Sequence, residues 1–351
     1  MVSRTSILVA AICLTSVLSS KAQETSVLDT LLLKDFKPKT IYVVPKNYVI
    51  KPKFQVIDMH SHAYPKTQVQ LEKWIADLNS VGIEKTVVLT VATGNKFDSL
   101  FNIYSKYPVF ELWCGLDLKT ISNPDFEKKS VKELERCYKK GARGVGELVY
   151  SGDEDTNKVF SWSHPKLIPV LNKCGELKMP VSIHVADPVW SFLSLDHHNE
   201  ELTENYSAKK NKNFDKYIQD LELVIKRHPN TTFVVCHFAN LTHDLGRLTA
   251  LLKKYPNMYV DISARFFSLS KTPRAALKFF TDCQDQIVYG SDLGNNPTMY
   301  QLTYRILETQ DENFSAAEYE FKKYTPLYGI NTPDLILKKI YYTNAQKILK
   351  K

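Results

Sequence analysis

The chain has 351 residues, 44% of them hydrophobic and 24% charged, an ordinary globular composition with enough apolar residues for a large core. The formal net charge of +8 comes from lysines spread along the chain, with no basic block, which argues for a solvated surface and against a nucleic-acid interface. Beyond residue 22 there are five cysteines, Cys114, Cys137, Cys174, Cys236 and Cys283, and no C-x-x-C pair. That excludes a zinc ribbon and a dense disulfide scaffold, and reads as buried thiols with at most one disulfide.

Residues 1–22 read as a secretory signal. Arg4 is the positive head, and Ser6 to Leu18 is an apolar run too short to span a bilayer comfortably. Ser20-Lys21-Ala22 places small residues at the −3 and −1 positions, so cleavage is expected before Gln23. The alternative is an uncleaved anchor. After the signal no further membrane span is indicated, and the expected location is periplasmic or secreted. Residues 23–53 form a lead-in containing Pro38, Pro45 and Pro52. Two β-rich pieces in it, Thr40–Val44 and Tyr48–Ile50, would suit a small hairpin.

From Phe54 onward short β-branched runs alternate with amphipathic segments. The runs are Phe54–His60, Thr86–Ala92, Phe110–Leu116, Gly144–Val149, Pro180–Val185, Thr232–His237, Met258–Ile262 and Ile287–Ser291. Helices are predicted near 68–80, 97–106, 127–140, 165–178, 214–228, 243–255, 273–283 and 297–309. Eight βα units predict an α/β chain folded as a (β/α)8 TIM barrel over residues 54–351. A doubly wound open sheet is the alternative, but no G-x-G-x-x-G follows the first strand. The last segment opens with Glu318-Tyr319-Glu320-Phe321. It ends in a stripe of Ile336, Ile340, Tyr341, Ala345, Ile348 and Leu349, which predicts a C-terminal helix packed on the barrel.

In such a barrel the reactive groups stand at the C-terminal ends of the strands. Asp58-Met59-His60-Ser61-His62 closes the first, and period-2 alternation would turn His60 and His62 the same way. Glu147 lies on the fourth, His184 and His237 end the fifth and sixth, and Asp292 ends the eighth. Each alone has an ordinary structural reading. Together these nitrogen and oxygen donors predict a site for zinc or another first-row divalent ion. His164, His197, His198, His228 and His243 fall outside the pattern, and His228, before Pro229 at a helix end, is assigned to the surface.

The ordered set His-x-His, Glu, His, His and Asp resembles the amidohydrolase superfamily. Within it, the chain looks most like the amidohydrolase-related branch that includes aminocarboxymuconate-semialdehyde decarboxylase. The resemblance runs from about residue 54 to the end and rests on Asp58–His62, His184, His237, Gly290–Asp292 and the Asn344-Ala345 pair of the final helix. It implies that His60, His62, His184 and Asp292 hold a principal divalent metal, most simply Zn2+. It implies that His237 acts as acid/base or binds a second metal, and that Asp292 takes a proton from the metal-bound water. Glu147 departs from the carboxylated lysine of many members, so it either bridges two metals or hydrogen-bonds beside one. Arg265, just past the seventh strand, could hold a substrate carboxylate or pair with a loop acid. Trp190 and Phe192 could wall the pocket or anchor the insertion after the fifth strand, and Tyr64 is a further rim residue. The expected activity is metal-dependent hydrolysis of a small ester, lactone or amide. The alternatives are non-oxidative decarboxylation of an unsaturated acid and a ligand-binding barrel without catalysis. A small molecule is the expected partner, nucleic acid is not, and a homo-oligomer is compatible with the chain.

Protein recovered from the exported fraction of an expressing cell should have an intact mass that begins at Gln23. A mass including residues 1–22 would mean that the segment is retained as an anchor.

Overall fold

In the computed structural model, which describes residues 26–32, 35–36, 38–149, 161–194, 196, 198, 213–321 and 325–350, eight short strands alternate with helices. The expected signal segment, His197 and most of the insertion that follows the fifth strand lie outside the described residues. The chain divides into two compact units, Met1–Pro38 and Lys39–Lys351, each taken by itself. In the first, Val27–Thr30 makes a single helical turn, and the Asp29 carboxylate accepts the Ser26 N–H at 3.0 Å.

The second unit holds the barrel. Its strands are β1 Val56–Ser61, β2 Ile83–Leu89, β3 Phe110–Trp113, β4 Val145–Val149, β5 Val181–His184, β6 Phe233–Val235, β7 Met258–Asp261 and β8 Ile287–Val288. All neighbours pair in parallel, β1-β2-β3 in one run and β4 to β8 in another. The runs join where Cys114 N–H donates to Gly144 O at 3.0 Å and Gly146 N–H to Cys114 O at 2.8 Å. The far edges close where Met59 N–H meets Tyr289 O at 2.9 Å and Ser291 N–H meets His60 O at 3.2 Å. The sheet therefore closes into a (β/α)8 barrel, which leaves no exposed edge.

Inward side chains of β1, β2, β3, β6, β7 and β8 meet in one buried cluster: Ile57, Met59, Val87, Leu89, Trp113, Val234, Tyr259 and Val288. Only the barrel interior can bring β2 against β6. Ala345 and Ile348 of the last helix complete the cluster. Asn344 fastens that helix by donating to Gln284 O and Ile287 O, at the start of β8. The predicted C-terminal helix is thus a plug at the end where the strands begin. A π-turn, Lys339–Thr343, interrupts it.

Outer helices bury one stripe each. Phe214–Arg227 buries Phe214, Ile218, Leu221, Val224 and Ile225, a spacing of three and four residues. Polar caps start several of them, as where Asn296 accepts Thr298 N–H beside Pro297 and Asp244 accepts Arg247 N–H. A short helix, Phe266–Lys271, precedes Pro273–Cys283 and was not anticipated. No helix among the described residues is long and apolar enough to cross a membrane.

The lead-in hairpin does not form. Thr40–Val44 and Tyr48–Ile50 belong to no strand, and Ile50 lies in a bend. Pro45 lies between them, and a lone two-stranded hairpin is marginal in any case. The segment instead binds through polar groups. Asp311 accepts Asn47 N–H at 2.7 Å, Glu318 pairs with Lys46 at 3.0 Å, and Glu308 accepts Lys53 N–H at 3.3 Å. The first two meet at Arg305, fully buried, whose Nε donates to Asp311 at 2.7 Å and whose Nη1 donates to Glu318 at 2.9 Å. The guanidinium lies 4.0 Å from the Phe314 ring centre and 5.2 Å from that of Tyr48.

Loss of Asp311 would leave the buried Arg305 guanidinium with one carboxylate, Glu318, in place of two, and would remove the lead-in's anchor at Asn47. Asp311→Ala should therefore lower the unfolding free energy by about 3 kcal/mol, read by denaturant titration. A loss below about 1 kcal/mol would put this pair with ordinary surface bridges.

Candidate metal centre

The strand ends converge on one carboxylate. Glu147, on β4, is nearly buried and has an oxygen within reach of four imidazoles: His184 Nδ1 at 2.8 Å, His62 Nε2 at 3.4 Å, His237 Nε2 at 3.5 Å and His60 Nε2 at 3.6 Å. Asp292 faces the same space, 3.1 Å from His62 Nε2, 3.5 Å from His60 Nε2 and 3.7 Å from His237 Nε2.

Irregular backbone makes the convergence. Between Asp58 and Ser61 the pairing advances three residues on β1 against two on β2, a bulge. Simple alternation therefore does not explain how His60 and His62 come together. β1 bends at its end, and His62 lies one residue beyond it. After β6, His237, Phe238, Ala239 and Asn240 all take positive φ, between 52° and 58°. Each such residue costs about 1–2 kcal/mol, and strain of this kind gathers at functional sites. Asn240 secures the turn, donating to Ala186 O and accepting Arg265 Nε–H at 2.7 Å. Gly290 has to be glycine, since a Cβ there would lie 2.9 Å from that of His60.

Three histidines are held through Nδ1. His62 donates to Leu89 O at 2.9 Å, His237 donates to Ser263 O at 3.0 Å, and His60 is 2.9 Å from Asp261 Oδ2. Their Nε2 atoms face Glu147 and Asp292. His60 Nε2 is buried without a hydrogen-bond partner, in a place where two carboxylates lie within 3.6 Å. A buried polar atom in that position calls for a cation. Donor atoms of His60, Glu147 and His237 lie within 4.8 Å of one another, as do those of His60, His62 and Asp292. The residues fit a divalent ion bound by imidazole and carboxylate. His184 reaches the centre too, but its hydrogen bond is to Glu147 and it belongs to neither group.

The electrostatics agree. Burial alone would raise Glu147, but the imidazoles outweigh it and hold the carboxyl far below its usual range. The same competition keeps Asp292 low. Burial would depress His62 and His60, but Asp292 and Glu147 push His62 up to about 9, and Asp261 above all holds His60 well above its ordinary value. Burial wins at His237, which is lowered with Arg265 contributing.

Asp58, Asp261, Ser263, Ser291 and Tyr300 belong to the site's supports, though no role was assigned to them from the sequence. Asp58, pushed up to about 6 by burial, accepts His60 N–H, Ser291 N–H, Ser291 Oγ–H and Tyr300 Oη–H. Asp261-x-Ser263 follows the same strand-end rule as the histidines, and that was the available signal. Of the rim residues, Arg265 is buried and bound to Asn240 and Ala264 O. Tyr64 packs its ring 6.0 Å from His62 and 5.7 Å from Trp74. Phe192 packs on Phe214 and Tyr217, so it anchors its turn, in which Trp190 is half-buried. His228 is not on the surface. Its ring is buried against Asn172 at 2.8 Å, because the helix end it closes packs on the neighbouring βα unit. All five cysteines named above are buried and unpaired.

The closed barrel and its histidine–carboxylate centre define a divalent-metal-dependent (β/α)8 enzyme. The amidohydrolase family profile matches residues 119–351, and the chain belongs to that family. Solved structures give the same fold. One is 2,6-dihydroxybenzoate decarboxylase in complex with 2,6-dihydroxybenzoate, 14% identical with a TM-score of 0.55, covering 85% of this chain and 99% of that one. A dihydroxybenzoic acid decarboxylase from Polaromonas, with manganese and 2-nitroresorcinol bound, is 13% identical with a TM-score of 0.55 over 84% and 97% of the two chains. A 5-carboxyvanillate decarboxylase from Novosphingobium aromaticivorans, also with manganese, is 14% identical with a TM-score of 0.51 over 85% and 97%. A comparison with curated proteins finds no significant match.

A cation binding here must displace the protons that His60 and His62 otherwise carry at neutral pH. Metal affinity should therefore rise with pH up to about 9, where His62 loses its proton unaided, roughly tenfold per unit for each proton released. Calorimetry in buffers of different ionisation heat would count those protons. Zero release at pH 7 would contradict the proximity of these imidazoles to Glu147 and Asp292.

Proposed function

We propose that the protein catalyses non-oxidative decarboxylation of a small unsaturated carboxylic acid with one bound divalent ion. The observation that carries this reading is Asp292, held ionised 3.7 Å from His237, which burial keeps neutral, so that a base and an acid face one space. Arg265, buried at the strand ends beside Asn240, is the cation there that a substrate carboxylate would approach. The fold shared with aromatic-acid decarboxylases supports the choice.

His60, His62 and Asp292 would hold the ion, with Glu147 and His237 on its other side. When bound, the ion supplies a Lewis acid that polarises a substrate oxygen and lowers the pKa of water. The side chains do the rest. Arg265 orients the carboxylate. As the bond to that carboxylate breaks, the electron pair stays on the substrate carbon and CO2 leaves. Asp292, held ionised, takes a proton from a substrate hydroxyl or from water and delivers it to the vacated carbon. His237, neutral by burial, accepts or returns a proton through Nε2. Both zinc and manganese suit the donors, and manganese in the structural relatives gives it equal standing.

Metal-dependent hydrolysis of an ester, lactone or amide is the second reading. It is favoured by the low protonation of Asp292, which suits a base acting on water. We infer export from the N-terminal sequence alone.

With hydroxybenzoates and unsaturated acids as a panel, CO2 should appear in step with substrate loss, and product formed in D2O should carry deuterium on the vacated carbon. Asp292→Asn should lower kcat by about 10²–10⁴-fold, and Arg265→Met should act mainly on KM. Turnover of esters or lactones with 18O entering the new carboxyl, and no CO2 from any acid, would replace this reading with hydrolysis.

A further inference from the structure

We propose that Asp261 fixes which ring nitrogen of His60 carries the proton and, by holding the Ser263 hydroxyl hydrogen, keeps Oγ an acceptor that acts with Ser263 O on His237 Nδ1. Asp261 and Ser263 are positioning residues that keep two Nε2 lone pairs aimed into the centre. The proposal rests on reading His60 as a metal ligand and His237 as the acid/base.

Asp261 and Ser263 are fully buried, so each polar hydrogen must be placed on a protein atom. Asp261 Oδ1 accepts His237 N–H at 2.9 Å, Ser263 N–H at 3.0 Å and Ser263 Oγ–H at 2.5 Å. The single hydroxyl hydrogen of Ser263 is therefore committed to Asp261. Towards the rings Oγ can only accept, and it lies 3.0 Å from His60 Nδ1 and 2.8 Å from His237 Nδ1. The other neighbour of His60 Nδ1 is Asp261 Oδ2 at 2.9 Å, and the other neighbour of His237 Nδ1 is Ser263 O at 3.0 Å. Every atom facing the two Nδ1 positions is an acceptor, so both must carry hydrogen. When either ring is neutral its lone pair is therefore on Nε2, facing the space before Glu147 and Asp292.

Replacing Asp261 by asparagine keeps shape and volume but turns one acceptor into a donor. The Oδ1 position receives three donors and must stay an oxygen, so the amide nitrogen falls at Oδ2, opposite His60 Nδ1. His60 is then driven to the other tautomer, with its hydrogen on Nε2 where the metal needs a lone pair. A carboxylate that only filled space would tolerate this isosteric change.

The test uses histidine-labelled protein loaded with zinc, a diamagnetic probe, with affinity measured against a chromophoric chelator. Wild type should show protected Nδ1–H resonances for both His60 and His237. Asp261→Asn should lose that of His60 and bind zinc about 10–100-fold more weakly. Ser263→Ala leaves the carbonyl at position 263 as an acceptor and should therefore shift that of His237 without removing it, and Ser263→Thr, which keeps the hydroxyl, should restore it. Should Asp261→Asn fail to fold, the two Ser263 variants carry the test. If Asp261→Asn binds zinc as wild type does with its His60 resonance intact, or if Ser263→Ala leaves both resonances unmoved, the proposal is overturned. Wild-type protein that bound no zinc would overturn the metal reading alone. The tautomers would then be read on metal-free protein, at a pH high enough that both rings have lost their second proton.

Discussion

A nearly buried glutamate ringed by four imidazoles is the constraint on which the upper end of this barrel is built. Glu147 cannot stay ionised out of water without compensating charge, and it cannot be neutralised by its own proton while four basic nitrogens compete for that proton. The ring resolves this with positive charge, whether carried by protons on histidine or by a divalent ion. Other features follow from keeping the ring tight. The β1 bulge, the left-handed turn after β6 and the glycine of β8 each place a side chain where regular backbone would not.

Much of this was legible in the sequence because period and position carry physical meaning. Eight alternating runs specified the closed barrel, and the apolar stripe from Ile336 to Leu349 specified the terminal helix. The strand-end rule gathered His60, His62, Glu147, His184, His237 and Asp292, which are neighbours in space. What was hidden depended on local detail with no periodic signature. Nothing in Lys46-Asn47-Tyr48 says that its partners will be Asp311 and Glu318 in place of a second strand. Likewise, nothing around His228 shows that Asn172 will bury it. Glu147 was visible as an oddity, but its central place needed the geometry, since one carboxylate on a strand has no neighbours in a linear chain.

The two ends of the barrel divide the labour. Where the strands begin, Ala345 and Ile348 complete an apolar interior that excludes water by packing alone. Where they end, packing gives way to directed hydrogen bonds, and nearly every one holds an imidazole. His62 leans on Leu89 O, His60 on Asp261, His237 on Ser263, and Asp58 gathers Ser291 and Tyr300 behind them. A rigid apolar floor lets the polar tier keep its geometry, because ring orientation is only as well defined as the strands that carry it. The Arg305 cluster, fastening the lead-in through Asp311 and Glu318, does the same with charge in another part of the fold.

Charge accounting also bears on how many ions such a centre would take. The inner ring holds two carboxylates, Glu147 and Asp292, which one divalent cation balances. Asp261 and Asp58 are no reserve. Asp261 is spent on His60, Ser263 and the His237 amide, and Asp58 on Ser291, Tyr300 and the His60 amide. A second cation would bring two uncompensated charges into a low-dielectric site, at a cost that only an anionic ligand could offset. A lone substrate carboxylate held by Arg265 would not offset both, since it carries one negative charge and the guanidinium already meets it. Charge balance therefore favours a single divalent ion in this centre.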